Sequence, residues 1–438
     1  MSITLLAPRM KALSARKTAI LSVLDIGTSK VVCLIARLLP MKSSDTLRGR
    51  THRCRIFGIG HHRSRGIKAG AVVDLDEAEQ AIRLAVDAAE RMAGVQVESV
   101  IVNASGGRLA SKLFQADVDI GGKPVSDQDI LRVLEAATAR TAMPGRAVMH
   151  ALATGFSLDG VRGISAPKGM MGDRLGADMH IVSADAASLR NLMLAVERCH
   201  LKIEAVVATP YAAGLSVLVD DESELGTAVV DMGAGTTSIG VFAGGHLRHV
   251  DAVAVGGNHV TMDVARGLNT SVADAERLKS LYGSCISAPS DDRETIAVAQ
   301  VGEDINEPGH MPKSQLVRII KPRVEEILEL ARDRLKAAGF AGLAGRRLVL
   351  TGGASQLTGM PEAARRILSP QVRIGRPLGI EGLPESAKSP AFAAAIGLMV
   401  YPQFAGIEHF EPRRAGPLSA TGTDGYVARV GRWLKESF

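Results

Sequence analysis

Apolar positions along this chain recur in two rhythms: short unbroken runs of Val, Ile, Leu and Ala, and longer stretches in which apolar residues return every three or four positions. Residues 21–38 read as two strands joined by a hairpin. A basic loop follows at 41–55, and Ile56 to Val73 reads as further strand and turn. From Asp76 to Ala93, the positions of Ala78, Ala81, Ile82, Ala85 and Ala88 predict a helix. Val100 to Asn103 predicts a buried strand. From about residue 105 short alternating segments surround one helix, Asp127 to Ala142, with Ser126 as N-cap and Asp129 placed as in a capping box. This stretch, to about Gly176, predicts an inserted α+β unit. Met179–Ser183 is then strand, Ser188–Cys199 helix, Ile203–Thr209 strand and Pro210–Val219 helix. The second half repeats the order, with hairpin strands at 227–254, helices at 258–283 and 314–338, a strand at 347–351 and a helix near 391–401. Ser287 to Met311 is polar and reads as loop or irregular strand. Residues 405–424 carry Gly406, Pro412, Gly416, Pro417 and Gly422, a linker composition, and residues 425–438 turn amphipathic again.

Two of the strands run into the same acidic turn. Leu21–Leu24 leads into Asp25, Gly27, Thr28, Ser29 and Lys30, and Ala228–Val230 leads into Asp231, Gly233, Ala234, Gly235, Thr236 and Thr237. A hairpin tip of Gly, Ser and Thr offers backbone N–H groups and hydroxyls to phosphate oxygens. The Asp before each tip stands where a hydrated Mg²⁺ on those phosphates needs a carboxylate. One such turn alone reads as an ordinary β-hairpin. Two copies, each behind an apolar strand, point to a nucleotide polyphosphate held between two similar domains. Gly352, Gly353 and Ala354 follow the strand ending at Thr351 and would let backbone pass close to an adenosine. Gly256 and Gly257 begin a helix; they read equally as a phosphate-facing N-terminus and as a plain strand-to-helix turn. The Walker loop and the GxGxxG fingerprint are both absent, which disfavours a P-loop NTPase or a dinucleotide-dependent dehydrogenase.

A chain of 438 residues should hold more than one domain. Only 3% of residues are aromatic, so the cores must be built from small aliphatic side chains. The net charge of +6 is concentrated toward the ends and suits an anionic membrane; sparse aromatics and the lack of a recognition motif argue against nucleic acid. Cys33, Cys54, Cys199 and Cys285 have no ligand spacing and read as reduced thiols of a cytoplasmic protein. No run is long enough for a membrane helix. The first residues, with Arg9, Lys11, Arg16 and Lys17, lack the pattern of a signal peptide and read as a mobile basic extension.

The blocks Asp25–Lys30, Val206–Leu215, Ala228–Thr237, Leu348–Gly353 and Ala393–Leu398 resemble those of the actin/Hsp70/sugar-kinase superfamily. Glu224–Thr237, Ile320–Leu328, Val349–Gly359 and Gln371–Pro377 are similar, more specifically, to the bacterial FtsA cell-division family. The likeness runs from about residue 20 to 403 and includes the tail. It implies an α/β fold of duplicated actin-like (ribonuclease-H-like) domains with a nucleotide cleft and an inserted α+β subdomain, 1C. The implied division is an extension at 1–19, subdomain 1A at 20–104 and 179–225, and 1C at 105–178. Subdomain 2A follows at 226–257 and 341–404 around 2B at 258–340, then a linker at 405–424 and a membrane-targeting helix at 425–438.

The resemblance further implies ATP and Mg as ligands. Asp25, Gly27, Thr28, Ser29 and Lys30 would form the first phosphate loop, and Gly233, Ala234, Gly235, Thr236 and Thr237 the second. Asp231 would be the main Mg²⁺ partner, with Asp25 beside it, both mostly through water. Glu276 and Lys279 match an adenine-edge pair, and their i,i+3 spacing on one helical face fits an ordinary surface ion pair equally well. Expected partners are further copies of the chain, late division proteins at 1C, anionic lipid, and the C-terminal tail of the tubulin-like protein FtsZ. Lys313, Arg318, Lys321 and Arg323 could meet that tail or form a solvated basic face. The expected location is the cytoplasmic side of the inner membrane at the division site. Thr209 stands about where active actins place a water-orienting glutamine, so weak or negligible ATPase activity is expected.

In the tail, Val427, Val430 and Leu434 share one helical face with Trp433 and Phe438 beside them, flanked by Arg429, Arg432 and Lys435. That pattern reads as an interfacial anchor, or alternatively as a helix docked on the protein itself. A sugar-kinase-type phosphotransferase is the competing reading of the whole chain. An Hsp70-like chaperone would need a substrate domain after residue 400, for which the remaining chain is too short.

Overall fold

The computed structural model describes residues 5–8, 10, 13–41, 47, 49–106, 108–139, 143–302, 309–344, 347–405 and 408. Two α/β sheets form the frame. The first has the strand order Lys202–Ala208, Ser99–Ala104, Ala19–Ile26, Lys30–Pro40, His52–Arg63 and Ile380–Glu381. Its hairpin Ala19–Pro40 is antiparallel, while Ser99–Ala104 runs parallel both to Ala19–Ile26 and to Lys202–Ala208. Residues 31–36 are all buried, the apolar run of a strand covered on both faces. The helix Leu75–Ala93 packs on His52–Arg63 so closely that a Cβ on Gly60 would lie 1.7 Å from the carbonyl carbon-bound oxygen of Ala85. The helices Thr209–Val217 and Ala393–Val400 are apolar on every side and lie inside the first core, as all-round hydrophobicity requires.

The second sheet repeats the plan. Thr227–Met232, Thr237–Ala243 and His246–Val253 form an antiparallel meander, and Leu348–Thr351 and Val372–Ile374 add in parallel on the other side. Its core is completed by helices Gly257–Gly267, Val272–Tyr282 and Lys313–Ala337. The helical stretch expected over 258–283 is split in two. Asn269 turns left-handed (φ 48°) and Ser271 caps the second helix by accepting the Asp274 N–H. The polar interval Ser287–Met311 contains a small antiparallel pair, Thr295–Val298 with Gly309–Pro312.

The inserted unit has its own sheet and core. Arg146–Leu158 pairs with Arg174–Asp185, which pairs with Ala110–Asp119, and the helix Asp127–Ala139 packs Val133, Leu134 and Ala137 against Met179 and Ile181. The capping box at its start is present: the Ser126 hydroxyl accepts the Asp129 N–H, and the Asp129 carboxylate accepts the Ser126 N–H at 3.0 Å. The strand Arg174–Asp185 runs unbroken past the boundary expected at 178.

The first described residues and Glu408 meet this sheet. Leu5–Leu6 adds as a parallel strand to Ala147–Val148, Ala7 and Met10 are buried, and the Val206 N–H donates to the Pro8 carbonyl. The expectation of a mobile N-terminal extension is thereby corrected for its described residues: Leu5–Leu6 pairs along a sheet edge, and Ala7 and Met10 are buried. Glu408, expected in the linker, bridges to Leu152, and its buried carboxylate accepts a hydrogen bond from His150 at 2.9 Å. The Ala208 N–H donates to the other ring nitrogen of His150, so the proton facing Glu408 sits on Nδ1. The tail residues Val427, Arg429, Val430, Arg432, Trp433, Leu434, Lys435 and Phe438 lie outside the described residues.

Candidate nucleotide site

The two acidic turns are built alike. The Gly27 N–H donates to the Lys30 carbonyl and the Gly233 N–H to the Thr236 carbonyl, both at 2.9 Å. Asp25 and Asp231 end the strands that enter the turns, and each is 8% exposed. The turns meet tip to tip: a Cβ on Gly235 would stand 2.4 Å from the Thr28 hydroxyl, so only glycine permits the approach. Burial pushes the Asp25 carboxyl up to about 6 against the opposing pull of Lys30. Burial, and then the charge of Asp25, push Asp231 up to about 7. Burial lowers the Lys30 ammonium, while the two carboxylates hold it up. Two buried carboxylates share one ammonium, so a further cation is what would let both ionise.

Asn103 organises the first turn and was not singled out from the sequence. Its Oδ1 accepts the Ile26 N–H at 2.7 Å; its Nδ2 donates to Asp25 Oδ1 at 2.7 Å and to Thr209 Oγ1 at 3.2 Å. A polar residue closing an otherwise apolar buried strand was the signal available. Thr209, itself buried, has its hydroxyl in this network. Among the described residues no group donates a hydrogen bond to the Asp231 carboxylate. Gly352 backs it with φ 84°, where a Cβ would lie 2.3 Å from Asp231 Oδ1.

The remaining predicted residues fall into place around the turns. Thr28 Oγ1 accepts the Gly70 N–H, and the Ser29 carbonyl accepts the Ser64 N–H. Lys30 Nζ sits 3.7 Å from the Phe392 ring centroid. Thr236 is buried, and the Thr237 hydroxyl turns inward to the Val255 carbonyl at 2.8 Å. The Gly256 and Gly257 amides do not point outward. They donate to His259 Nδ1 and to the Gly233 carbonyl, and Asn258 donates to the Ala234 carbonyl, so this helix start braces the second turn. A Cβ on Gly257 would touch Ala354, which places Gly353–Ala354 beside the brace. Lys279 Nζ bonds Glu276 at 2.6 Å, Thr261 at 2.9 Å and the Gly257 carbonyl at 3.3 Å, joining the Glu276–Lys279 pair to the same region.

The four cations expected to meet an acidic tail, all on the helix Lys313–Ala337, divide. Lys313 pairs with Glu294 and Asp291, and Arg323 with Asp263 and Glu326. Among the described residues Arg318 and Lys321 have no ion-pair partner, and Arg318 is exposed. Among the described residues no helix is long and apolar enough to cross a membrane.

Two related α/β sheets that close on each other through paired acidic glycine turns define the actin-like class. The structure of a PilM–PilN type IV pilus biogenesis complex matches 90% of this chain and 99% of its own with a TM-score of 0.59 at 16% identity. MreB5 of Spiroplasma citri bound to ADP matches 90% and 98% with a TM-score of 0.51 at 12% identity. At such identities the likeness is one of fold. The chain belongs to the FtsA family of cell-division proteins. The family model for cell division protein FtsA matches residues 228–397, and that for the SHS2 domain inserted in FtsA matches 106–183. Cell division protein FtsA of Agrobacterium fabrum (strain C58) is 54% identical over 433 residues, 98% of each chain.

Proposed function

We propose that this chain binds ATP between its two acidic turns, polymerises on the inner face of the cytoplasmic membrane at the division site, ties FtsZ filaments to that membrane and recruits later division proteins. The observation that carries the nucleotide reading is the meeting of Thr28 and Gly235 with Asp25, Asp231 and Lys30 gathered behind them. The donor set fits a hydrated Mg²⁺: Asp231 has no protein donor to compete, Asp25 is oriented by Asn103, and the acid pair lacks one positive charge. When bound, the ion would neutralise the phosphate oxygens. Lys30 and the backbone of the turns would hold the phosphates, and Gly352–Ala354 with Glu276 and Lys279 would flank the nucleoside. Thr209 offers a short hydroxyl already tied to Asn103, which supports slow hydrolysis and a structural role for ATP.

FtsA family membership supports the division role. The amphipathic residues 425–438 would supply the membrane contact. Arg318 and Lys321 are the cations left to meet an acidic FtsZ tail, and the inserted unit would receive later division proteins and the next copy in a filament. Two measurements test the reading. Titration with a fluorescent ATP analogue should show Mg²⁺-dependent binding; no binding sinks the nucleotide part. Co-sedimentation of FtsZ with phosphatidylglycerol vesicles should require this chain and be lost in a version ending at residue 424; FtsZ that pellets equally without the chain sinks the tether.

A further inference from the structure

We infer that the exposed end of the strands Ala19–Ile26, Lys30–Pro40 and His52–Arg63, where Ile20, Arg37 and Arg55 stand in a row, is a second contact with an anionic bilayer surface. The inference rests on the tail being a membrane anchor. Along His52–Arg63, Gly58 and Gly60 lie against the helix Leu75–Ala93 and Cys54 and Ile56 are buried, while Arg53 and Arg55 are exposed. A row crosses three strands: Ile20 stands opposite Arg37, and Arg37 opposite Arg55. Ile20 is 47% exposed, a large apolar side chain in the open next to two arginines. Like charges directly opposite one another destabilise a sheet. Among the described residues no carboxylate pairs with Arg37 or Arg55; the nearby Glu381 pairs with Arg53 at 3.3 Å. Arg37 lies over the half-buried Phe57 ring, 5.8 Å from its centroid. Arg37 and Arg55 beside the exposed Ile20 and the half-buried Phe57 match the headgroup zone of a bilayer, where each arginine near the surface strengthens binding about fivefold.

The chain path points to the same occupant. Gln403 Oε1 accepts the N–H groups of Thr51 (2.8 Å) and His52 (3.0 Å), so the last helical turn of the body is tied to the foot of this face. His52 Nε2 meets the Lys17 carbonyl at 3.0 Å, which brings the entry to the first strand to the same place. Thirty residues of the sequence follow Glu408, the amphipathic stretch 425–438 among them. The tail and the face then act as two linked weak contacts, and each raises the effective concentration of the other.

The test uses the full chain, the chain ending at residue 424, and Arg37→Gln/Arg55→Gln in the full chain. Each is sedimented with phosphatidylglycerol–phosphatidylcholine vesicles and with pure phosphatidylcholine. The double variant should bind anionic vesicles ~10- to 30-fold more weakly than wild type. It should bind neutral vesicles equally and melt at an unchanged temperature. Ile20→Cys carrying an environment-sensitive dye should shift to the blue on anionic vesicles. A double variant that matches wild type on anionic vesicles, while truncation at 424 abolishes binding, overturns this inference and leaves the tail reading standing. An unshifted dye overturns it too, as does an equal loss on both vesicle types. If the wild-type chain pellets with neither vesicle, both readings fall. Dye that shifts with a soluble poly-glutamate peptide and not with vesicles assigns the face to an acidic polypeptide instead.

Discussion

Gly27 and Gly233 close their turns with the same bond at the same length, yet the carboxylates that precede them sit in different surroundings. Asp25 is held by Asn103 from the neighbouring strand and has Lys30 within its own turn. Asp231 has no donor, is backed by the bare backbone of Gly352, and feels the charge of Asp25. Where the first turn carries Lys30 the second carries Thr236, so one motif supplies the cation and the other the open acid. The duplication therefore divides the work: a fixed, partly neutralised carboxylate on one side and an available one on the other. The bracing differs as well, since only the second turn has its carbonyls capped by a helix start, through Gly257 and Asn258.

The most severe test of that division is Asp231→Asn, which should lower Mg²⁺-dependent ATP affinity by at least ~100-fold, more than Asp25→Asn does. Equal losses in an ATP-analogue titration would mean the two acids share one role. Next comes Gly235→Val. Its Cβ alone would meet Thr28 at 2.4 Å, so the turns must separate, and affinity should fall ~10- to 100-fold with little change in the melting temperature of the ligand-free chain. Unchanged affinity would show that the tips need not touch.

Asn103→Ala should cost about 1–3 kcal/mol of stability, because it strips donors and acceptors from Asp25, Ile26 and Thr209 at once. Urea unfolding measures this, and a change under about 0.5 kcal/mol would remove Asn103 as the organiser. The smallest expected effect is in pH. Both acids bind their protons more tightly when folded, so the ligand-free protein should lose stability as pH rises from about 4 toward 7. Melting of wild type at about pH 5 and about pH 8 should differ more than melting of Asp25→Asn/Asp231→Asn; parallel curves would place the raised acids elsewhere.

Read from the sequence alone, the elements that carry their signal locally emerge with their type and approximate place. The helix Leu75–Ala93 follows from its apolar spacing, the Ser126–Asp129 cap from residues three apart, and the hairpins from an apolar run ending in Asp and Gly. Each of these depends on neighbours within a few positions, which is the range over which backbone sterics and side-chain periodicity act. The repetition of an acidic turn also pointed to a duplicated actin-like fold, because the same local chemistry implies the same local shape. Tertiary structure alone decided what the turns face. Asn103 reaches Asp25 across 78 residues and His150 finds Glu408 across 258, and no local window contains both partners. The break at Asn269, the commitment of the Gly256 and Gly257 amides, and the docking of Leu5–Leu6 were likewise settled by which edge or carbonyl lay opposite. A buried polar atom takes whatever donor the packing brings to it, and packing is a property of the whole chain.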